Sequence, residues 1–250
     1  MGASDRMEDD KQGDHGTSQS AREGASTFPW YGLRWRAQGS RWWAAIGLAV
    51  SGAIMATAYL SVNAFASARG VTAFDPASLF VIDGRSLDSR IPYLPWTVLV
   101  YTSVFYASFV LSVFAYPKTA AGARQLFALY SGLVAITLAA CAVFLVWPAE
   151  MVLRHGAVGP RHTGSLHGLN LMLRAVDQPF NTWPCLHAAQ SALIFLVVGR
   201  WSGRRSVIAA LWVAWIALVL STLTTKQHFL FDLLTGSLLA VGYWRWRLRR

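Results

Sequence analysis

Polar and apolar residues are segregated into long blocks along this chain. Residues 1–41 are rich in Asp, Glu, Gly, Ser and Gln and show no apolar periodicity, which predicts a disordered tail. Six apolar blocks follow: Trp43–Phe65, Tyr93–Ala115, Leu126–Trp147, His187–Val198, Val207–Leu220 and Phe229–Trp246. A membrane-crossing helix takes ~20 residues, or ~17 at the short end. The fourth and fifth blocks reach that length only with their polar shoulders, which predicts helices whose ends line a polar cavity. The expected architecture is all-α: a polytopic membrane protein with six transmembrane helices over residues 42–250, preceded by the tail of residues 1–41. The first block begins too far along and runs too long for a cleaved signal peptide.

Composition sharpens this reading. The chain is 54% hydrophobic and 14% charged, too apolar for an ordinary soluble domain. Its twelve Trp and eight Tyr suit anchoring at membrane interfaces. Cys141 and Cys185 make neither a disulfide framework nor a paired metal motif. The net charge of +10 is mostly arginine. In such a chain it marks cytoplasmic flanks, and nucleic-acid binding is not expected. With both termini inside, the inner connections hold Arg34, Arg36, Arg41, Lys118, Arg124, Arg200, Arg204, Arg205 and the Arg-rich C-terminus, more than the outer ones hold. The long connection Pro148–Pro184 and the short turn before Phe229 then share the outer face.

Candidate chemistry collects on that face. His228 and Asp232 lie four residues apart at the start of the last block, so on a helix they share a side. One ionisable residue at a helix centre costs roughly 2.5–3.5 kcal/mol, so such residues default to a functional hypothesis. Asp232 accepting from one ring nitrogen of His228 would leave the other as a lone pair, able to act as base or nucleophile. The bland alternative is a structural His–Asp pair. His187 follows Pro184, which suits a first helical turn. This puts a second imidazole at the outer end of the fourth block. One histidine can attack while the other protonates a leaving group. Arg154 offers a planar fork for phosphate oxygens, although a single Arg at a membrane edge is commonly an anchor. Lys226 adds a point charge, and the N–H groups opening the last helix favour anions. No metal or other cofactor is expected. His155, His162 and His167 match no tight ligand spacing, and no Gly-rich nucleotide loop is present.

These residues resemble a known family. Ser221-Thr222, five residues, His228, three residues, Asp232 resembles the third signature of the type 2 phosphatidic acid phosphatase superfamily, usually Ser-Arg-x5-His-x3-Asp. Pro184-Cys185-Leu186-His187 is similar to its second, Pro-Ser-Gly-His, and Trp147–Arg154 to its first, which ends in Arg-Pro. The Thr225–His228 wording and Ile91–Trp96 look closest to the inositol phosphorylceramide synthase-like and sphingomyelin synthase-like branch. The resemblance implies six transmembrane helices, a site at the outer face, and metal-independent transfer through a phosphohistidine. Carried over, His228 is the nucleophile, Asp232 its orienter and His187 the acid. Arg154, Ser221, Thr222 and Cys185 fall on phosphate-binding positions, and Lys226 is expected to supply the phosphate-binding charge of the missing Arg. Thr222 stands where the family has Arg, Cys185 where it has Ser, and Trp147 where the first signature has Lys.

The expectation is therefore an integral membrane lipid phosphatase or phosphotransferase, in a bacterial inner membrane by its Arg- and Ala-rich wording. Its partner would be a membrane lipid phosphate, with a lipid alcohol as acceptor if the reaction is transfer. Two alternatives stand beside it: a phospho-head-group transferase, and a lipid-binding protein that keeps the helices without the chemistry.

Overall fold

The computed structural model of the chain describes residues 40–154 and 164–249. The tail of residues 1–39 and the loop bearing His155 and His162 lie outside them. All six apolar blocks fold as helices. They are α1 (Arg41–Arg69), α3 (Val98–Ala115), α4 (Ala120–Val146), α6 (Leu186–Ser202), α7 (Arg205–Thr224) and α8 (Leu230–Tyr243). Four of them, α1, α3 with its preceding turn, α4 and α7, are long and apolar enough to cross a membrane. The chain is thus an integral membrane protein. α6 has 17 residues and α8 has 14, the latter continued by a π-helical turn over Trp244–Leu248.

The helix ends follow local chemistry. Thr119 caps α4, its Oγ1 accepting from Gly122 N at 3.0 Å. Gly70 and Gly203 end α1 and α6 in the left-handed conformation, at φ 58° and 62°, where glycine avoids a Cβ clash. The 14% of charged residues are nearly absent from the helix interiors. Many large apolar side chains remain outside the packed core, including Ile54, Val110, Leu138, Val213 and Leu238. In water so much exposed apolar surface would drive aggregation, whereas lipid tails satisfy it.

α6 is the central helix and packs against α3, α4, α7 and α8, while α1 lies along α4. Its small residues Ala188, Ala189 and Ala192 are buried, which brings neighbouring helices close. The main core joins Leu129, Leu133 and Ile136 of α4 to Leu193 and Ile194 of α6. Polar groups enclosed with it pair with each other: Gln190 Nε2 donates to Thr137 Oγ1 at 2.7 Å, and Ser112 Oγ lies 3.1 Å from Tyr130 OH.

The connections between blocks are more structured than the all-α expectation allowed. Residues 70–97 contain a two-stranded hairpin, β1 (Val81–Ile82) and β2 (Arg85–Ser86), then the single-turn helix α2 (Leu87–Arg90). Asp83 and Gly84 make its turn with positive φ at both positions, the Asp-Gly pattern that two-residue hairpins favour. The connection Pro148–Pro184 contains α5 (Ser165–Val176). Block periodicity carries no signal for such short elements.

One close backbone approach serves the site. A Cβ added at Gly236 of α8 would stand 2.3 Å from the Cys185 carbonyl oxygen and 3.1 Å from Cys185 C and N. Cys185 N also donates to Asp232 O at 3.0 Å. Gly236 thus lets α8 seat directly under the start of α6. Gly236→Ala is expected to push the two apart and to cost about 1–3 kcal/mol. Thermal unfolding in detergent checks this, and an unchanged melting temperature would contradict the close seating.

Candidate active site

The three sequence signatures converge through backbone contacts that spacing does not reveal. The first runs beside the segment leading to the second: Ala149 and Asn181 form a parallel bridge. Met151 N donates to Pro179 O at 2.8 Å, and Thr182 Oγ1 to Ala149 O at 3.2 Å. The second signature opens α6 with Cys185 as N-cap, its sulfur accepting from Ala188 N at 3.4 Å. The third makes the turn between α7 and α8. There the Thr222 carbonyl accepts from Gln227 N at 2.9 Å and His228 N at 3.3 Å, and the Ser221 carbonyl accepts from Thr225 N at 2.9 Å. The hydroxyls of Ser221 and Thr222 donate within α7, to Leu218 O and Val219 O. These two residues shape the turn that presents His228.

At the centre the two imidazoles meet, His187 Nδ1 lying 3.1 Å from His228 Nε2. The outer nitrogen of each ring is also held. His228 Nδ1 lies 2.8 Å from Thr182 O and 3.4 Å from Asp232 Oδ2. Both neighbours are acceptors, so Nδ1 carries the proton and Nε2 of the neutral ring is a lone pair. The tighter partner is the Thr182 carbonyl, which sequence reasoning missed because every residue has one. Asp232 is fully buried. Its Oδ2 also accepts from Phe229 N at 2.8 Å, the carboxylate half of a capping box at the start of α8. His187 Nε2 lies 2.7 Å from Tyr101 OH, and Tyr101 and Phe105 of α3 pack on the His187 ring. With a proton on His187 Nδ1, the chain Tyr101 → His187 → His228 → Thr182 is consistently donor to acceptor.

Arg154 is buried beside this pair. Its Nε donates to Lys226 O at 3.3 Å, Nη1 to Asp177 O at 2.6 Å and Nη2 to the Gln227 side-chain oxygen. Asp177 Oδ2 lies 3.7 Å from Nη2 and its Oδ1 accepts from Tyr59 OH at 2.5 Å. Arg174 of α5 donates to Arg154 O at 3.3 Å and Thr225 O at 3.0 Å. Asp177 and Arg174 belong to none of the three signatures and stand outside the candidates the sequence offers.

Lys226 is placed differently from its expected role. Its backbone is left-handed, φ 55°. Its Nζ donates to Asp88 O at 2.9 Å and Ile91 O at 2.6 Å. Asp88 Oδ1 in turn accepts from Leu230 N at 2.8 Å. Burial lowers the Lys226 ammonium below its ordinary pKa, the Asp88 carboxylate opposing that. The ammonium thus ties the segment after β2 to the α7–α8 turn. His167 is buried in α5 with Nδ1 3.0 Å from Tyr93 OH.

A cavity of about 430 Å³ opens beside the His187 imidazole. Leu48, Met55, Phe105 and Phe109 contribute apolar wall; His187, Tyr101, Tyr59 and Asp177 form its polar part. An apolar slot with His187 in its wall suits a ligand with a hydrophobic tail and a polar head.

A family model described as the PAP2 superfamily matches residues 85–246, which includes the second and third signatures and Arg154. No curated protein and no solved structure matches the chain.

Proposed function

The chain belongs to the PAP2 superfamily, and from that premise we propose that it cleaves or transfers the phosphoryl group of a membrane lipid phosphate through a phosphohistidine. The observation that carries the reading is the His187–His228 contact of 3.1 Å, with an outward-held proton on His228 Nδ1. In the proposed reaction the phosphoryl group enters between the two rings. His187 takes up a second proton, at Nε2, as the phosphoester binds, and that N–H then donates to the Tyr101 oxygen. His228 Nε2 attacks phosphorus, the ester P–O bond breaks, and His187 gives its Nδ1 proton to the departing alkoxide. A water, or a lipid alcohol, then attacks the phosphohistidine and yields its proton to His187. Thr182 O and Asp232 hold the imidazolium that forms at His228. Three of the five N–H groups of Arg154 are engaged, and the rest are proposed to meet phosphoryl oxygens. The Cys185 and Lys226 side chains and the turn at Ser221 and Thr222 serve this site by positioning.

The membrane arrangement belongs to the same proposal. All six helices cross, α6 and α8 using their polar ends at the site, and both termini lie in the cytoplasm of a bacterial inner membrane. The site then faces outside. The Arg and Lys distribution supports that orientation.

The cavity supplies a specific expectation. Gly52 lines it, and a Cβ there would meet nothing within 4 Å. Gly52→Phe is expected to fill the slot with little strain. It should depress turnover of a long-chain lipid phosphate roughly 10-fold or more, while sparing a short water-soluble phosphomonoester. Equal losses on both substrates would dissociate the cavity from tail binding.

Head-group transfer is the second reading, supported by the Thr225-Lys226-Gln227-His228 wording and the Ile91–Trp96 entry, which resemble the sphingolipid-synthase-like branch. Product separation after incubation with and without a lipid alcohol distinguishes them. Free phosphate marks hydrolysis, and a new phospholipid marks transfer. An acid-labile phosphohistidine trapped by rapid quench supports both. Its absence during turnover would overturn the covalent route.

A further inference from the structure

Cys185, His187 and His228 present one sulfur and two ring nitrogens that all lie within 4.8 Å of one another. We propose that these three side chains form a binding site for a borderline-soft divalent cation, zinc above all, and that its occupation switches off the chemistry of the histidine pair. The metal site concerns the donors themselves and holds whether or not the site transfers phosphoryl groups, whereas the switching role rests on the phosphoryl-transfer reading above.

The donor set fits the metal. Thiolate and imidazole select zinc over magnesium or calcium. With Zn–S near 2.3 Å and Zn–N near 2.0–2.1 Å, tetrahedral angles put neighbouring donors roughly 3.3–3.6 Å apart. The imidazole nitrogens are already 3.1 Å apart, so a small opening of the pair admits the ion. Three protein donors leave a fourth position for water or an anion.

The surrounding contacts are those a metal site needs. Metal-binding imidazoles usually direct their second nitrogen at a carbonyl, carboxylate or other fixed partner. His228 does this through Thr182 O and Asp232. His187 does it through Tyr101 OH. Tyr101 is suited to both states, since a phenol donates or accepts. Without metal it donates to His187 Nε2, and His187 Nδ1–H points at His228. With metal the His187 proton moves to Nε2 and is accepted by the Tyr101 oxygen, freeing Nδ1 for the ion. The Cys185 thiol proton is released to solvent when sulfur ligates. The path in is the cavity, since His187 lines it.

The consequence for chemistry is direct. The ion would occupy His228 Nε2, the lone pair the phosphohistidine route requires, and the Nδ1 position from which His187 gives its proton. Where the family's second signature has Ser, this chain has Cys185, which converts a pair of histidines into a three-donor site.

The test uses the full, tag-free chain in detergent, titrated with Co²⁺ and then Zn²⁺. The expected result is one ion per chain, with a near-ultraviolet thiolate-to-cobalt band and intense tetrahedral visible bands that Zn²⁺ displaces. Cys185→Ser should lose the thiolate band and bind Zn²⁺ roughly 100-fold more weakly, since loss of even an outer partner costs 10–100-fold. Cys141→Ser should keep both, because Cys141 lies in a separate cluster on α4. His187→Gln provides a second donor deletion should Cys185→Ser fail to fold, and Zn²⁺ should raise the melting temperature of wild type and not of that variant. A band that survives in Cys185→Ser, or Zn²⁺ affinity equal in wild type and both donor variants, overturns the proposal. Inhibition of phosphate-ester turnover by Zn²⁺, reversed by chelation, reads the switch separately. Binding without inhibition would leave the metal site and remove the switching role.

Discussion

His228→Ala is expected to leave a folded chain with no measurable turnover of lipid phosphate. The imidazole is the only ring nitrogen placed to attack from within the Thr182–Asp232 grip among the described residues. In the proposed reaction its removal takes away the covalent intermediate, and in the structure it takes away the partner of His187. Loss of a nucleophile of this kind costs ~10⁴-fold or more. The structural cost is much smaller. The substitution deletes two hydrogen bonds, to Thr182 O at 2.8 Å and with His187 Nδ1 at 3.1 Å, and leaves Asp232 still accepting from Phe229 N. That amounts to roughly 1–3 kcal/mol. Phosphate release in detergent, together with a cooperative thermal transition, separates the two effects. Activity that survives in the folded variant would remove the phosphohistidine route and favour a lipid-binding role.

The same contrast between side chain and backbone explains what the sequence could convey. Blocks of Ala, Leu and Val announced the helices because apolar length is a one-dimensional property. The meeting of His187 with His228 was also foreseeable, since both stand at helix starts on one face of the bundle. The 3.4 Å separation of His228 Nδ1 from Asp232 against 2.8 Å from Thr182 O was not. A carbonyl acceptor has no residue-type signature, and its position depends on the Ala149–Asn181 bridge. Lys226 illustrates the opposite error. Two residues before the histidine, it invited a phosphate-binding role, yet its left-handed backbone sends Nζ to carbonyls at Asp88 and Ile91. Spacing tells which residues share a neighbourhood. The φ of a single turn residue decides which way a charge points.

Arg154→Ala is expected to injure both stability and catalysis, by separable mechanisms. The guanidinium ties together three pieces of chain distant in sequence: the first signature, Asp177 before α6, and Lys226-Gln227 before α8. Alanine leaves two backbone carbonyls, the Gln227 amide and the Asp177 carboxylate without their cation. Broken buried pairs of this kind cost about 3–5 kcal/mol; Asp177 keeps Tyr59 as a donor, so the lower end is expected. On the folded fraction, kcat should fall ~10²–10³-fold, the usual cost of removing a preorganised donor to developing negative charge. Arg154→Lys keeps the charge but not the fork, and one ammonium cannot reach three divergent acceptors in fixed geometry. It should recover part of the stability and little of the rate. Gln227→Ala supplies the control, removing one of the three anchors while sparing the guanidinium. If Arg154 is only a strut, the rate per folded molecule stays near wild type in all three variants. If it meets the phosphoryl group, the Arg154 variants lose rate far beyond Gln227→Ala at matched stability, because a strut acts through the folded fraction whereas a phosphate ligand acts on the transition state itself.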